Sequence, residues 1–376
     1  MSKKGKIVFF IGTTAEYIKL FTVIEEIKKS GSEYIVIASG QNDISKTDIA
    51  KKCNLHIDLE LSKESDIKKS AVGLFSWFFK TKSKAPKQIK FAFPDVDFKK
   101  SIFVVHGDTI STVMGAFVGK KLGAKVAHVE AGLRSHHWLT PFPEEIDRHI
   151  VSKKADISFA PGETAVNNLS KSKGLVVNTE YNTIIDALDF SREIECKNDK
   201  VNEIYHKNYC VCVFHRQENL MNHKLLNEFI DNLISISQNR EAVLILHEIT
   251  KREITRINRM EELKSCNNVV LLNRVEYFDF MKLLDKAQYV ITDGGSNQEE
   301  LAYMGKPTLI LRTATERNDG LGENAILFNG DTSLMKSFDD VYEKYEREAV
   351  SPKILPSKII SDTLINNEQN LNNKDI

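Results

Sequence analysis

Charge of one sign is what this chain lacks first. Its 52 lysines and arginines are balanced by 52 aspartates and glutamates over 376 residues. That balance removes the global field that would draw it to nucleic acid, so any anion it binds must be held by local groups. Cysteine is scarce and unpaired in pattern: Cys53, Cys196, Cys210, Cys212 and Cys266 are odd in number and include no CxxC spacing. A disulfide framework and a cysteine-held zinc site are both excluded, and a reduced, cytoplasmic setting is expected. A long apolar run is also missing at the start, where "MSKKGKIVFFIG" is too short for a signal peptide or a membrane span.

What the chain does have is alternation. Short β-branched runs ("KIVFFIG", "EYIVIASG", "SIFVVHG", "AKVAHVE", "DISFAPG") are separated by longer charged, amphipathic stretches, and the second half repeats the theme with "YCVCVFH", "EAVLILHE", "NVVLLN", "QYVITDGG" and "KPTLILR". Such βα alternation predicts parallel sheets covered by helices on both faces. The length is enough for two such cores. The expected division is residues 1–186, residues 187–360, and a frayed tail at 361–376, with a polar seam from Asp186 to Lys207. Within "YCVCVF", Cys210 and Cys212 should share one face of a strand.

The ends of the predicted strands carry unusual chemistry. They read Gly12-Thr13-Thr14, Gly40-Gln41, His106-Gly107-Asp108-Thr109, then His128 and Glu130 in the first half. The second half has His215-Arg216-Gln217-Glu218-Asn219, His247-Glu248, Asp293-Gly294-Gly295-Ser296 and Arg312. Ligands of parallel sheets bind beyond the carboxyl ends of the strands. Singly, each stretch has an ordinary explanation as a turn or a helix cap. Together they predict two polar rims lining one cleft. Gly294-Gly295 ahead of a helix offers free N–H groups suited to a pyrophosphate, with Glu299 or Glu300 placed for a ribose diol. Asp108, Glu130 and Glu144 form an acidic set instead, with Pro143 expected at the first helical position and Arg134 and Arg148 at hand to pair. Carboxylates in a partly dry site suit proton transfer at carbon, because burial and mutual repulsion raise some of their pKa values. A phosphate seat in one half and acids in the other point to chemistry on a sugar attached to a nucleotide.

At these residues the chain resembles the non-hydrolysing UDP-N-acetylglucosamine 2-epimerases, which share the GT-B arrangement of two Rossmann-like domains facing across a cleft. The resemblance rests on "HGDTIST" (106–112), "HVEAGLRS" (128–135), "PFPEEIDRH" (141–149), "NTIIDAL" (182–188), "HRQEN" (215–219), "QEELAYMGKPTLILR" (298–312) and "TER" (315–317). It implies acid and base roles for Asp108, Glu130 and Glu144, a histidine near the diphosphate at His215, and a ribose contact at Glu299. Further substrate contacts are expected at Thr13, Lys19, Arg134, Arg148, Arg216, Asn219, His247, Gly294, Gly295, Ser296, Arg312 and Arg317. The implied reaction is anti elimination of UDP to a 2-acetamidoglucal and syn re-addition with the opposite configuration at carbon 2, needing neither metal nor redox cofactor. A UDP-sugar is the expected small-molecule partner and a homodimer the expected assembly.

Several positions depart from the family pattern. Gly12-Thr13-Thr14-Ala15-Glu16 lacks the arginine of Gly-Thr-Arg-Pro-Glu, Asp293-Gly294-Gly295-Ser296 replaces Asp-Ser-Gly-Gly, Gln217 replaces an arginine, and Asn318 replaces a proline. Of a second, regulatory substrate site only Gln41 and His247 find counterparts. A different nucleotide sugar, a hydrolysing 2-epimerase, or a GT-B glycosyltransferase of surface glycan assembly would each fit these changes. The stretch 68–93 mixes Phe75, Trp77, Phe78 and Phe79 with Lys80, Lys82, Lys84 and Lys87. It reads first as an amphipathic helix packed on the sheet or on a dimer partner, and secondly as a peripheral membrane or lipid-linked acceptor contact.

Overall fold

The computed structural model describes residues 3–67, 70–135, 143–313 and 319–373, without the side chains of Ala71 and Ser296. The chain forms two compact units, Met1–Ala187 with Pro352–Ile376, and Leu188–Ser351. The first contains a seven-stranded sheet of β1 (Ile7–Ile11), β2 (Tyr34–Ala38), β3 (Leu59–Glu60), β4 (Ile102–His106), β5 (Lys125–Val129), β6 (Ile157–Ala160) and β7 (Leu175–Asn178). Their spatial order is β3-β2-β1-β4-β5-β6-β7, and every pairing is parallel. Helices on both faces bury β1 and β4 completely, so these strands read as unbroken apolar runs. The winding reverses between β1 and β4, which opens a crevice at their carboxyl ends.

Helix boundaries there follow from the residues. Thr13 caps the Thr14–Lys29 helix by accepting from Glu16 N, and Lys28 and Lys29 lie in its last turn. Thr109 caps the Ile110–Leu122 helix, and Gly123 at φ 88° ends it in a conformation other residues rarely adopt. The 68–93 stretch forms the Ala71–Ala92 helix. Trp77, Phe78, Ala85 and Ile89 join the core, while Val72, Phe75, Phe79 and Phe91 are exposed. Trp77 satisfies its indole N–H on Ser62 Oγ at 2.7 Å.

The end of the chain differs from expectation. It returns to the first unit at Pro352, and the supposed tail is part of a Pro356–Asn372 helix packed on Thr14–Lys29. Ile360 and Leu364, one turn apart, are fully buried, and Ser357 N donates to Asp186 at 3.0 Å. Two apolar residues at helical spacing anchor a segment that looks too polar when only its composition is counted.

The second unit repeats the topology with β8 (Tyr209–Val213), β9 (Glu241–Leu246), β10 (Val269–Asn273), β11 (Val290–Thr292), β12 (Thr308–Ile310) and β13 (Ala325–Leu327) in the order β10-β9-β8-β11-β12-β13, again all parallel. Cys210 and Cys212 share one face with Phe214, and Tyr209, Val211 and Val213 the other. All five cysteines are free. The division falls between Ala187 and Leu188, inside the Ile184–Glu193 helix. The predicted polar seam holds another helix, Asp199–Tyr205, anchored by buried Val201 and Ile204. Among the described residues no helix is long and apolar enough to cross a membrane.

Candidate active site

In the first unit the crevice residues form a charged network. Glu130 follows β5 with φ 62°, a left-handed conformation uncommon outside glycine. Its side chain is 8% exposed and lies 2.9 Å from Lys19 Nζ and 3.1 Å from His106 Nε2. Two groups from β1's helix and from β4 therefore fix its orientation. Asp108 does not cap the following helix, a duty that Thr109 performs. Asp108 instead meets Arg148 at 2.6 Å, and Arg148 also reaches Glu145 at 3.5 Å. Gly107 turns at φ 67°, and its carbonyl meets His128 Nε2 at 2.8 Å. Burial pushes His128 down to about 4, so at neutral pH it is an uncharged brace that donates to this carbonyl.

The Glu144–Ser152 helix begins one residue after Pro143, which stands at the cap rather than inside, its carbonyl accepting from Ile146 and Asp147. Glu144 is half-buried and its Oε2 has no hydrogen-bond partner. Arg134 donates to Leu133 O at 2.7 Å and to Ser152 Oγ at 2.8 Å, and burial lowers its pKa. Thr13 is engaged as a helix cap. Gln41 accepts from Ser111 at 2.6 Å, and Ser111 bonds Ser39 at 2.8 Å. This chain of side chains packs on Gly12, where a Cβ would fall 2.2 Å from Ser111.

The second unit is organised around one acid. Asp293, fully buried at the end of β11, accepts from the backbone N–H of His215 (3.0 Å) and Arg216 (2.9 Å) and from Asn219 Nδ2 (3.2 Å), with His215 Nδ1 at 3.0 Å. Burial alone would raise this carboxyl, but His215 and the two N–H groups outweigh it and hold the pKa low. Asn219 also donates to Leu311 O at 3.0 Å, so it ties the β8 loop to the strand end before Arg312. His247, after β9, stacks on His215 with centroids 4.7 Å apart. Burial, then the neighbouring His215 and Arg274, push His247 down to about 4.

Gly294 caps the Gly295–Tyr303 helix without a side chain, so the N–H groups of its first turn have no capping partner from that residue. A Cβ on Gly294 would fall 2.5 Å from Asn297 Oδ1 and 3.1 Å from His215 Cε1. Glu299 is buried in this helix at 3% exposure. Arg216 meets Glu218 at 3.2 Å. Arg312 is half-buried after β12. Arg317 and Asn318, with Pro141 and Phe142 of the acidic motif, lie outside the described residues, as does the Ser296 side chain. No cluster of His, Cys, Asp or Glu among the described residues could hold a metal ion.

Two acids that sequence inspection passed over carry raised pKa values. Glu16, 2% exposed, accepts from Gly12 N at 2.6 Å and from the Thr109 hydroxyl, and burial raises its pKa despite both bonds. Its signal was available as the Thr-x-x-Glu capping pattern of Thr13 and Glu16, here diverted to Gly12. Asp147 is 8% exposed, and burial, then Asp108 and Glu144, push it up to about 7. Its signal was the helical spacing from Glu144.

These features match known proteins along nearly the whole chain. The sequence model of UDP-N-acetylglucosamine 2-epimerase matches residues 25–352. The UDP-N-acetylglucosamine 2-epimerase of Methanocaldococcus jannaschii is 29% identical over 360 residues, covering 90% of this chain and 93% of that one. A homolog of that enzyme from Methanococcus maripaludis is 32% identical, covering 83% and 85%. The crystal structure of the Neisseria meningitidis UDP-GlcNAc 2-epimerase bound to UDP-GlcNAc superposes with a TM-score of 0.75 at 25% identity, covering 96% of this chain and all of that one. With two parallel α/β sheets of the GT-B kind and a match of this extent, the chain belongs to the UDP-N-acetylglucosamine 2-epimerase family of isomerases.

Proposed function

We propose that this protein interconverts a UDP-N-acetylhexosamine and its carbon-2 epimer, of the UDP-GlcNAc and UDP-ManNAc type, by elimination and re-addition of UDP. The observation that carries the reading is the pair of carboxylates at adjacent strand ends, Glu130 between Lys19 and His106, and Asp108 on Arg148. A base must take the proton from carbon 2, and an ionised, fixed carboxylate is suited to it. Glu144 is the third acid–base group. The leaving UDP needs donors, and in the second unit the Gly294-Gly295 helix start, His215, Arg216 and Arg312 supply them, with Glu299 assigned to the ribose. The N. meningitidis relative is bound to UDP-GlcNAc, which supports the substrate class.

The proposed setting is a cytoplasmic homodimer making precursors of a surface polysaccharide. The exposed Val72, Phe75 and Phe79 of the Ala71–Ala92 helix give the first unit an apolar strip for the second copy, and sedimentation of the wild type against Phe79→Lys tests it. Incubation with UDP-GlcNAc in deuterated water tests the chemistry. Deuterium at carbon 2 of the nucleotide sugar is expected. Free UDP with N-acetylmannosamine would instead identify hydrolysis, and turnover only with an added acceptor would identify a transferase.

A further inference from the structure

We propose that one stripe of the Ala71–Ala92 helix, formed by Lys80, Lys84, Lys87 and Phe91, docks the first unit on an anionic phospholipid surface. The stripe is separate from the Val72, Phe75 and Phe79 strip assigned to the second copy, and it goes beyond the epimerase reading without depending on it.

The charge of this segment departs from that of the whole. The chain is neutral, yet from Ile67 to Pro94 it carries lysines and no aspartate or glutamate. The charged side chains of the helix, Lys80, Lys82, Lys84, Lys87 and Lys90, are all of one sign. Lys82 is half-buried and lies over the rings of Phe78, Phe79 and Phe117, between 4.6 and 5.0 Å from their centroids. The others are exposed, and none of them forms an ion pair among the described residues. Asp97, beyond the helix, accepts from Lys99 N at 3.0 Å and stands beside two further lysines, Lys99 and Lys100.

Positions 80, 84, 87 and 91 recur at helical spacing, so their side chains stand on one face. Trp77, Phe78, Ala85 and Ile89 face the core instead. Phe91 is 89% exposed, more than any other large apolar residue among those described. A bare aromatic ring in line with three lysines suits the level of lipid headgroups, where the ring enters the acyl boundary and the ammonium groups meet phosphates.

The occupant follows from charge and from position. A second copy packed on this stripe about a two-fold axis would set lysines against lysines, a contact that like charges oppose. A soluble polyanion would satisfy the lysines and leave Phe91 in water. An anionic bilayer satisfies both. Val96, shortly after Phe91, bridges Lys4 just ahead of β1, so the stripe ends at the amino-terminal edge of the sheet. Asp108 and Glu130 follow β4 and β5 at the opposite edge. A bilayer at the stripe therefore leaves the crevice of this unit clear.

The test floats the full chain with vesicles of phosphatidylcholine, alone or mixed in equal parts with phosphatidylglycerol. The protein is expected to rise with the mixed vesicles, to stay down with phosphatidylcholine alone, and to be released by about 0.5 M salt. Each lysine near the surface contributes about fivefold to affinity, so Lys84→Glu combined with Lys87→Glu should weaken binding by at least about 25-fold. Phe91→Ser, which leaves the charge unchanged, should weaken it about tenfold. Both variants alter exposed positions and should keep the wild-type thermal midpoint by circular dichroism, so that lost flotation reports the stripe and not the fold. No flotation with the mixed vesicles, or flotation that the charge reversal leaves intact, would overturn the proposal. So would binding that heparin matches and that Phe91→Ser does not change, since the stripe would then be a site for a soluble polyanion. Carbon-2 exchange plays no part in these readouts, so failure here and failure of the epimerase reading are separate results.

Discussion

The two units share a topology and differ in what they place at its switch point. In the first, acids and basic side chains alternate: Lys19 and His106 on Glu130, Arg148 on Asp108, and Asp147 buried with its Oδ2 unpaired. In the second, one buried acid, Asp293, faces inward and spends its lone pairs holding a loop, so that imidazoles and helix N–H groups are what the crevice offers. On the proposed reading, the first crevice moves protons and the second holds an anion. The lesson is that a parallel sheet fixes where a ligand binds and leaves the chemistry to the few residues beyond each strand.

This contrast can be broken by substitutions that should separate the units. The largest effect is expected from Asp108→Asn or Glu130→Gln, which should lower carbon-2 deuterium exchange by about 10³-fold while UDP affinity, measured by calorimetry, changes less than about twofold. A comparable loss of UDP affinity would erase the division of labour. Asp293→Ala should act the other way round. Removing the acceptor of three N–H groups is expected to cost about 3 kcal/mol of stability in urea, followed by circular dichroism, and to weaken UDP binding as the His215 loop loosens.

Acid sharpens the comparison through two histidines, one in each unit, both pushed down to about 4. Such a group stays neutral when folded but takes a proton at pH 6.5 when unfolded. Stability should therefore fall as pH drops from about 6.5 to about 4, by about 3 kcal/mol for fully buried His128 and by less for the more exposed His247. His128→Gln, which keeps a donor for Gly107, should flatten that slope more than His247→Gln, as pH-dependent urea titrations would show. The smallest effect belongs to Gly294→Ala. Its methyl would press on Asn297 and His215, and UDP affinity should drop about tenfold, or 1.4 kcal/mol, with exchange at saturating substrate little altered.

Much of this site was legible along the chain, and the exceptions share a cause. The buried strands announced themselves as β-branched runs, and the residues beyond them, His106 to Thr109 and Asp293 to Ser296, could be placed at strand ends without coordinates. Glu16 and Asp147 could not be told from ordinary surface acids, because burial depends on what packs over them. Pairing was equally hidden. Arg148 was adjacent to several acids in sequence, and its place on Asp108, 40 residues earlier, follows from the contact between the Ile110–Leu122 and Glu144–Ser152 helices. The C-terminal helix was misjudged because average polarity conceals the spacing of Ile360 and Leu364.

By itself the amino-acid order determined two parallel α/β cores, the position of each strand end and the kinds of side chain available there, since these depend on periodicity and on neighbours a few residues apart. Only the tertiary structure decided which carboxyls found cations, which were buried with an oxygen left unpaired, and where the last helix docked. Those outcomes turn on solvent exclusion and on distances between segments remote in sequence, and both are properties of the packed chain.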